Sequence, residues 1–217
     1  MVLLATAVLL AFSPQTVLQV QEREIREQTQ DYGIDIKYPE IANAALFNAA
    51  VHQILDPVVE TFKNELRRAR IPDVPDYAGY VRGTYTASTL KTGIVSVLLE
   101  WQQYTPGAAH PGGGMASINH DRRTGRVLTL SQLFRPGVDY LSRLSQMAID
   151  SLNQQEYADP DQVRRGAGPV ENNFKVFTLT DTALVLHFPT YQVAAGAAGP
   201  QTVAIPLDRL APLLRKR

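Results

Sequence analysis

The sequence contains no cysteine, and this single absence removes several classes of protein at once. Without a thiol there is no disulfide, no thiolate metal site, no cysteine nucleophile and no lipidated N-terminal cysteine. A strong charge of one sign is also missing, because 21 Lys and Arg residues balance 21 Asp and Glu residues. Non-specific nucleic-acid binding needs a positive field that this chain lacks, so we expect no nucleic-acid partner.

Recognisable catalytic motifs are scarce as well. No two histidines stand three to five residues apart, so the H-x-x-x-H and H-E-x-x-H zinc pairs are missing. A nucleophile elbow, a P-loop and a dinucleotide fingerprint are also missing, and serine or nucleotide chemistry is not expected. We therefore predict no metal and no cofactor. The four histidines are His52, His110, His120 and His187.

An uncharged segment rich in Leu, Ala and Val stands near the start of the sequence. It runs for eleven residues, from Val2 to Phe12, which fits the apolar region of a secretory signal and falls short of the about 18 residues needed to span a bilayer. Small residues suited to cleavage follow at Ala11-Phe12-Ser13, although no basic residue precedes the segment. We expect residues 1–20 to be a signal peptide or an N-terminal anchor; a buried N-terminal helix is the alternative. Export would carry residues 21–217 to the periplasm or the extracellular envelope.

The order of hydrophobic patterns predicts an α+β fold with a mainly antiparallel sheet. Apolar residues recur every three or four positions from Phe47 to Leu66, which indicates one long helix that Asp56-Pro57 kinks or divides. A second helix is predicted to begin near Pro136-Gly137 and to pack on the same sheet. We expect one α+β unit with softly separated halves at 21–108 and 109–217. The predicted strands are 32–38, 77–87, 93–104, 115–119, 126–130, 174–179, 183–187 and 201–205.

Two loops combine an aromatic residue with small and flexible residues, a composition typical of ligand-binding turns. The first runs from Tyr104 to Gly114 and contains His110, and the second runs from Tyr191 to Pro200. Glycine permits close backbone approach to a ligand, but it serves an ordinary tight crossover equally well. We predict Tyr104, His110 and Tyr191 as ligand-binding residues, with the purely structural interpretation left open.

Several motifs in order resemble a known family. The segments are Tyr38-Pro39-Glu40-Ile41, Tyr104 to Pro111, Asn119 to Gly125, Leu130 to Phe134 and Phe188 to Val203. They are similar to a paired domain of unknown function that lies outside the membrane in a lysozyme-sensing anti-sigma factor and ahead of the catalytic domain of a peptidoglycan deacetylase. The resemblance covers the chain from about Asp31 to Leu214. It implies an extracytoplasmic α+β module and does not imply catalysis, because the deacetylase's aspartate pair and H-x-x-x-H motif are missing here.

Two functions from different classes follow. The first is a non-catalytic module of the cell envelope that binds a lysozyme-like protein or a cell-wall glycan. The alternative is an uncharacterised hydrolase of peptidoglycan or another wall polymer, with His110 and a nearby carboxylate as acid and base. Glu100, Asp121 and Glu156 could also include the pair of carboxylates that a glycosidase needs. A purely structural role is also open, and contact with a membrane is expected only through an uncleaved N-terminal segment.

Overall fold

The computed structural model describes residues 20–69, 78–156 and 158–216. The predicted signal segment Val2–Phe12 lies outside the described residues. No helix within these ranges combines the length and the hydropathy needed to cross a bilayer.

A six-stranded sheet forms the first layer of the molecule. Its strands follow chain order from one edge to the other, and every neighbouring pair is antiparallel except β2 and β3. The sheet continues through β5, beyond the soft boundary predicted between the two halves. Its strands are β1 (Val20–Gln28), β2 (Tyr32–Ile41), β3 (Gly79–Thr89), β4 (Ile94–Tyr104), β5 (Gly112–Asp121) and β6 (Arg126–Val127).

The parallel pair β2 and β3 is joined through α1 (Ala45–Ala69), because a parallel connection needs a crossover element. The apolar face predicted for this helix is confirmed: Phe47, Val51 and Phe62 are buried against the sheet. Pro57 does not divide the helix, which runs through it as a single element. A proline inside a helix costs about 3 kcal/mol, and the apolar contacts on both sides of Pro57 outweigh this cost.

The last three strands form a separate sheet, so the single shared sheet that we expected is wrong. The order is β7, β8, β9, and both pairs are antiparallel. The second helix, α2, packs on this sheet and not on the first one. It begins at Tyr140, where the Asp139 side chain accepts a hydrogen bond from Ser142 N. The remaining elements are β7 (Phe177–Leu179), β8 (Ala183–Phe188), β9 (Gln201–Pro206), α2 (Tyr140–Leu152), α3 (Pro160–Gly166) and α4 (Leu207–Leu210).

Buried hydrogen bonds join the two sheets. Ser96 Oγ donates to Asn119 Oδ1 at 2.6 Å, and it accepts from Leu179 N at 2.8 Å. Asn119 Nδ2 donates to Phe177 O at 2.9 Å, and Phe177 N donates to Ser117 Oγ at 2.8 Å. Side chains of β4 and β5 thus satisfy backbone groups of β7 that would otherwise be unpaired inside the protein. We call Ser96, Ser117 and Asn119 the polar seam.

The helices and both largely antiparallel sheets confirm the predicted α+β class. Each sheet has its own apolar core. The polar seam defines one face of the first sheet, which we call the seam face, and α1 packs on the opposite face. Because side chains alternate along a strand, Leu98, Glu100, Gln102 and Tyr104 share the seam face with Ser96.

Candidate functional site

An open cleft of about 830 Å³ lies on the seam face, next to the point where the second sheet docks. Its floor is the middle of β3 and β4, and its walls are the start of β5 and the loop that follows β8. Leu98 is buried between the polar seam and the cleft. The same sheet face is therefore covered at one end and open at the other.

The floor of the cleft is polar. Arg82 lies directly opposite Gln102 on the paired strands, and Thr84 lies opposite Glu100. All four residues line the cleft, together with Met115, which is the cross-strand partner of Glu100 on β5. The floor thus offers a cation, a carboxylate, an amide and a hydroxyl, which together can donate and accept hydrogen bonds to a polar ligand.

Trp101 borders the cleft, but its ring belongs to the other face of the sheet. Gly114 is its cross-strand partner, and a Cβ at Gly114 would collide with the indole ring. The ring therefore lies over Gly114, an arrangement that fills the space left by a glycine on a strand. The single tryptophan of the chain supports the floor from behind and is not its contact surface.

Tyr191 stands at the wall of the cleft in an unusual backbone conformation. Its φ is +73°, in the left-handed region that residues other than glycine rarely adopt, and 60% of its surface is exposed. A Cβ at Gly196 would collide with the Tyr191 ring, so glycine is required there for the ring to lie across the loop. A left-handed backbone at a residue other than glycine persists only where the surrounding structure holds it in place.

The loop that carries Tyr191 is held in place by the short helix α3. Asp159 caps this helix by accepting hydrogen bonds from Asp161 N and Gln162 N, and Pro160 occupies its first turn. From that first turn, Gln162 Nε2 donates to Tyr191 O and to Ala194 O, both at 2.8 Å. The cap thus fixes the position of Gln162, and Gln162 fixes the backbone on both sides of the loop.

A second glutamine anchors the same loop from inside. Gln192 Nε2 donates to Gly166 O at 2.8 Å and to Asn173 O at 2.9 Å. Each such hydrogen bond contributes about 1 kcal/mol. The Tyr191 loop is consequently preorganised, which lowers the entropy cost of binding a ligand.

The structure brings together two of the three predicted ligand-binding residues. His110 and Tyr191 both line the cleft. His110 is exposed, and its Nδ1 lies 2.9 Å from Pro111 O. Tyr104 does not line the cleft, but it shares the seam face and stacks beside Tyr80, with ring centroids 6.0 Å apart. The assignment of all three to ligand binding stays a prediction.

The other histidines are structural in their surroundings. Burial lowers the pKa of His120, whose Nδ1 has no hydrogen-bond partner among the described residues and whose ring lies 5.7 Å from that of Phe47. Burial also lowers the pKa of His187, whose Nε2 lies 2.8 Å from Thr178 Oγ1. His52 is exposed on α1. Within the described ranges, no group of three or more His, Asp and Glu side chains is placed to hold a metal ion.

One motif with S-x-x-K spacing is present at Ser88 and Lys91, where β3 turns into β4. Both residues are exposed, and the backbone N of Lys91 donates to Asp181 Oδ1 at 2.8 Å. An activated serine needs its base within hydrogen-bond reach in a site that holds a substrate. These two residues lie outside the cleft and carry no catalytic assignment.

Sequence reasoning missed most of the polar floor. Arg82, Thr84 and Gln102 come from strands whose pairing register brings them together, and no local motif marks them. Gln162 was also missed, although Asp159-Pro160 is a recognisable helix start just before it. Its contact with the Tyr191 loop spans about thirty residues of chain, a distance that no local pattern reports.

Comparison with known proteins identifies the second half of the chain. Residues 131–208 match the family described as "Protein of unknown function (DUF3298)". Peptidoglycan-N-acetylmuramic acid deacetylase PdaC of Bacillus subtilis (strain 168) is 33% identical over 113 residues, which are 51% of this chain. The chain spans 24% of the length of that deacetylase.

Two solved structures share the fold. A DUF3298 family member from Bacteroides fragilis NCTC 9343 has a TM-score of 0.62 at 16% identity and covers 92% of this chain and 94% of its own. A DUF3298 family protein from Pseudomonas aeruginosa PAO1 has a TM-score of 0.60 at 20% identity, with 91% and 94% covered. The predicted resemblance to a domain of unknown function present in a peptidoglycan deacetylase is confirmed. Residues 131–208 match the DUF3298 family, and the chain has the fold of solved DUF3298 proteins.

Proposed function

We propose that this protein is a non-catalytic module of the cell envelope that binds the glycan of the cell wall through the cleft on the seam face. The similarity to a domain of a peptidoglycan deacetylase supports an association with the cell wall and an extracytoplasmic location. The sequence similarity covers half of this chain. The choice of ligand therefore rests on the chemistry of the cleft.

The cleft combines the two kinds of contact that sugars require. Hydroxyl and acetamido groups need donors and acceptors, which Arg82, Thr84, Glu100 and Gln102 supply on the floor. The apolar face of a sugar ring needs an aromatic surface, which Tyr191 supplies at the wall. The floor carries a positive and a negative side chain, so it suits an uncharged or weakly charged polar polymer.

The single observation that carries the proposal is the conformation of Tyr191. A left-handed backbone at a residue other than glycine costs about 1 to 3 kcal/mol. Because the Tyr191 ring is largely exposed, its burial offsets little of this cost. The protein nevertheless holds the ring at the cleft with the Gln162 anchors and the space over Gly196. Stacking of a sugar ring on Tyr191 would explain why the protein holds this side chain in a strained conformation at the cleft.

The cleft lacks the carboxylate pair of a glycosidase among the described residues, whereas His110 and Glu100 both line it and are the pair that a hydrolase would have to use. Among the described residues that line it, Glu100 is the one carboxylate. Asp121 pairs with Ile94, six residues along β4 from Glu100, which is roughly 20 Å at the rise of a strand. Glycosidases place their two carboxyl groups about 5 to 9.5 Å apart. Glu156 is exposed and lies outside the cleft.

Sedimentation with purified peptidoglycan tests the proposal. We expect the wild type to pellet with peptidoglycan and Tyr191→Ala to stay in the supernatant, with affinity reduced about tenfold, because stacking contributes about 1 kcal/mol or more. Leu46→Ala is the matched control: Leu46 is equally exposed at 60% but lies on α1, behind the sheet. Equal pelleting of all three proteins contradicts the proposal.

Two further arms of the experiment separate the other hypotheses. Capture of lysozyme by a wild-type protein that does not pellet with peptidoglycan would replace the glycan by a protein partner. Release of soluble muropeptides that stops in Glu100→Gln would replace binding by hydrolysis. For the location, recovery of the protein in the envelope fraction is expected, and recovery in the cytoplasm alone contradicts it.

A further inference from the structure

We infer that the ligand of this protein is a glycan chain that runs lengthwise along β3 and β4, across the cleft and onto the pair Tyr80 and Tyr104. The inference rests on the proposed function and names the form of its ligand. It assigns a second contact area to residues that lie outside the cleft. A module that recognised only a chain end or a single sugar would need no such surface.

The aromatic pair continues the floor of the cleft without a break. Tyr80 and Tyr104 are direct cross-strand partners, and the next pair toward the cleft is Arg82 and Gln102. All of these side chains lie on the seam face, because they alternate with residues that face α1. The tyrosine pair is four residues along each strand from the pair Thr84 and Glu100, which is about 13 Å.

Direct contacts connect the pair to the floor. The Arg82 guanidinium lies over the Tyr80 ring, with Cζ 4.8 Å from the ring centroid. Tyr80 OH donates to Gln102 Oε1 at 3.4 Å. The two tyrosine rings are tilted by 31° and lie beside each other. Arg82 and Gln102 thus belong to both areas, and the two areas form one strip.

The composition of the strip fits a polymer of sugars. Tyr191 stands at the wall of the cleft, and Tyr80 with Tyr104 lies at the end of the strip, next to Arg82 and Gln102. Sugar rings spaced along a chain can stack on Tyr191 and on the tyrosine pair while their polar groups contact Arg82, Gln102 and Glu100. Arg82 and Gln102 are exposed and Tyr80, Glu100 and Tyr104 are half-buried, so each of these side chains keeps some surface that a ligand can reach.

Dependence of affinity on chain length tests the inference. The probes are peptidoglycan glycan fragments of one and of three disaccharide units, titrated into the full chain by calorimetry. We expect the wild type to bind the longer fragment about tenfold more tightly, and Tyr104→Ala to remove most of that difference while its affinity for the short fragment is unchanged. Tyr104→Phe keeps the ring and should keep the difference.

The outcomes separate this inference from the proposed function. Equal affinity of the wild type for both fragments, or an equal loss of both in Tyr104→Ala, overturns the lengthwise strip and leaves the cleft as a short site. Absence of binding to both fragments, with no pelleting on peptidoglycan, overturns the proposed function itself. A thermal melt of each variant excludes misfolding as the reason for a lost contact.

Discussion

The two ends of the seam face use the same strands for opposite purposes. At one end, Ser96 and Asn119 are fully buried and bond to the backbone of β7. At the other end, Arg82, Glu100 and Gln102 line an open cleft. Both sets of residues are polar, and they alternate along strands whose other side faces an apolar core. The polar side chains of this face therefore join the two sheets at the covered end, whereas at the open end they are free to contact a ligand.

Because of this difference, substitutions at the two ends can separate effects on stability from effects on ligand binding. A polar group at the covered end is desolvated, so the loss of its partner costs the full penalty of an unpaired buried group. A polar group at the open end is hydrated when the ligand is absent, so its loss changes stability little. Variants at the two ends should consequently fall into two classes.

The largest effect is expected at the covered end, for Asn119→Ala. This change leaves Phe177 O without its donor and Ser96 Oγ without its acceptor, both inside the protein. We expect the free energy of unfolding to fall by about 2 to 4 kcal/mol. Denaturant unfolding measures it, with Asn172→Ala, at an exposed position, as the matched control. Equal stability of the two variants would show that the polar seam does not hold the sheets together.

Acid is expected to lower stability through His120 and His187, with a smaller effect than Asn119→Ala. Burial lowers the pKa of His120 and of His187, so below about pH 6.5 the unfolded chain binds protons that the folded chain does not. Stability is therefore complete above this pH and falls as the pH decreases through it, by up to about 1.4 kcal/mol per pH unit for each histidine. Thermal melts from pH 7.5 to pH 5 measure this. The double variant His120→Phe, His187→Phe should lose less stability on acidification than the wild type, and an equal loss contradicts the cause.

The smallest effect is expected for Gln162→Ala, which acts on the open end through the loop. Gln162 does not line the cleft, but it holds Tyr191 O and Ala194 O. Without it the loop samples more conformations, and we expect peptidoglycan affinity to fall about threefold to tenfold. Gln154→Ala, exposed beyond the end of α2, is the control. Unchanged affinity of Gln162→Ala for peptidoglycan would mean that binding does not depend on the hydrogen bonds by which Gln162 holds the Tyr191 loop.

The apolar cores were largely predictable from the sequence, because their patterns are local. The 3.6-residue period of the apolar residues predicted α1, and the apolar run from Gly93 to Tyr104 predicted the central strand β4. The edge strand β1 was missed, since both of its faces carry charge: Arg23, Glu24 and Arg26 form exposed ion pairs and leave no alternation to read. The apolar pattern of residues 207–214 predicts a closing helix, but α4 ends at Leu210.

The split into two sheets and the polar floor could not be predicted, because both depend on contacts distant in sequence. Asn119 ends the predicted strand 115–119, and no local pattern showed that Asn119 and His120 are buried near the end of β5. The bond from Asn119 to Phe177 joins residues 58 positions apart. Tyr191 and His110 were found from their loop composition, whereas Arg82 and Gln102 required the register of β3 on β4.

The most direct test of the account is an NMR titration of the full chain with soluble peptidoglycan glycan fragments. Chemical-shift changes report which backbone amides sense the ligand, and both ends of the seam face can be observed in one experiment. We expect chemical-shift changes at Arg82, Glu100, Gln102 and Tyr191 and none at Ser96 or Asn119. Changes confined to α1 or to the exposed strand β1, with none at the cleft residues, would contradict glycan binding in the cleft.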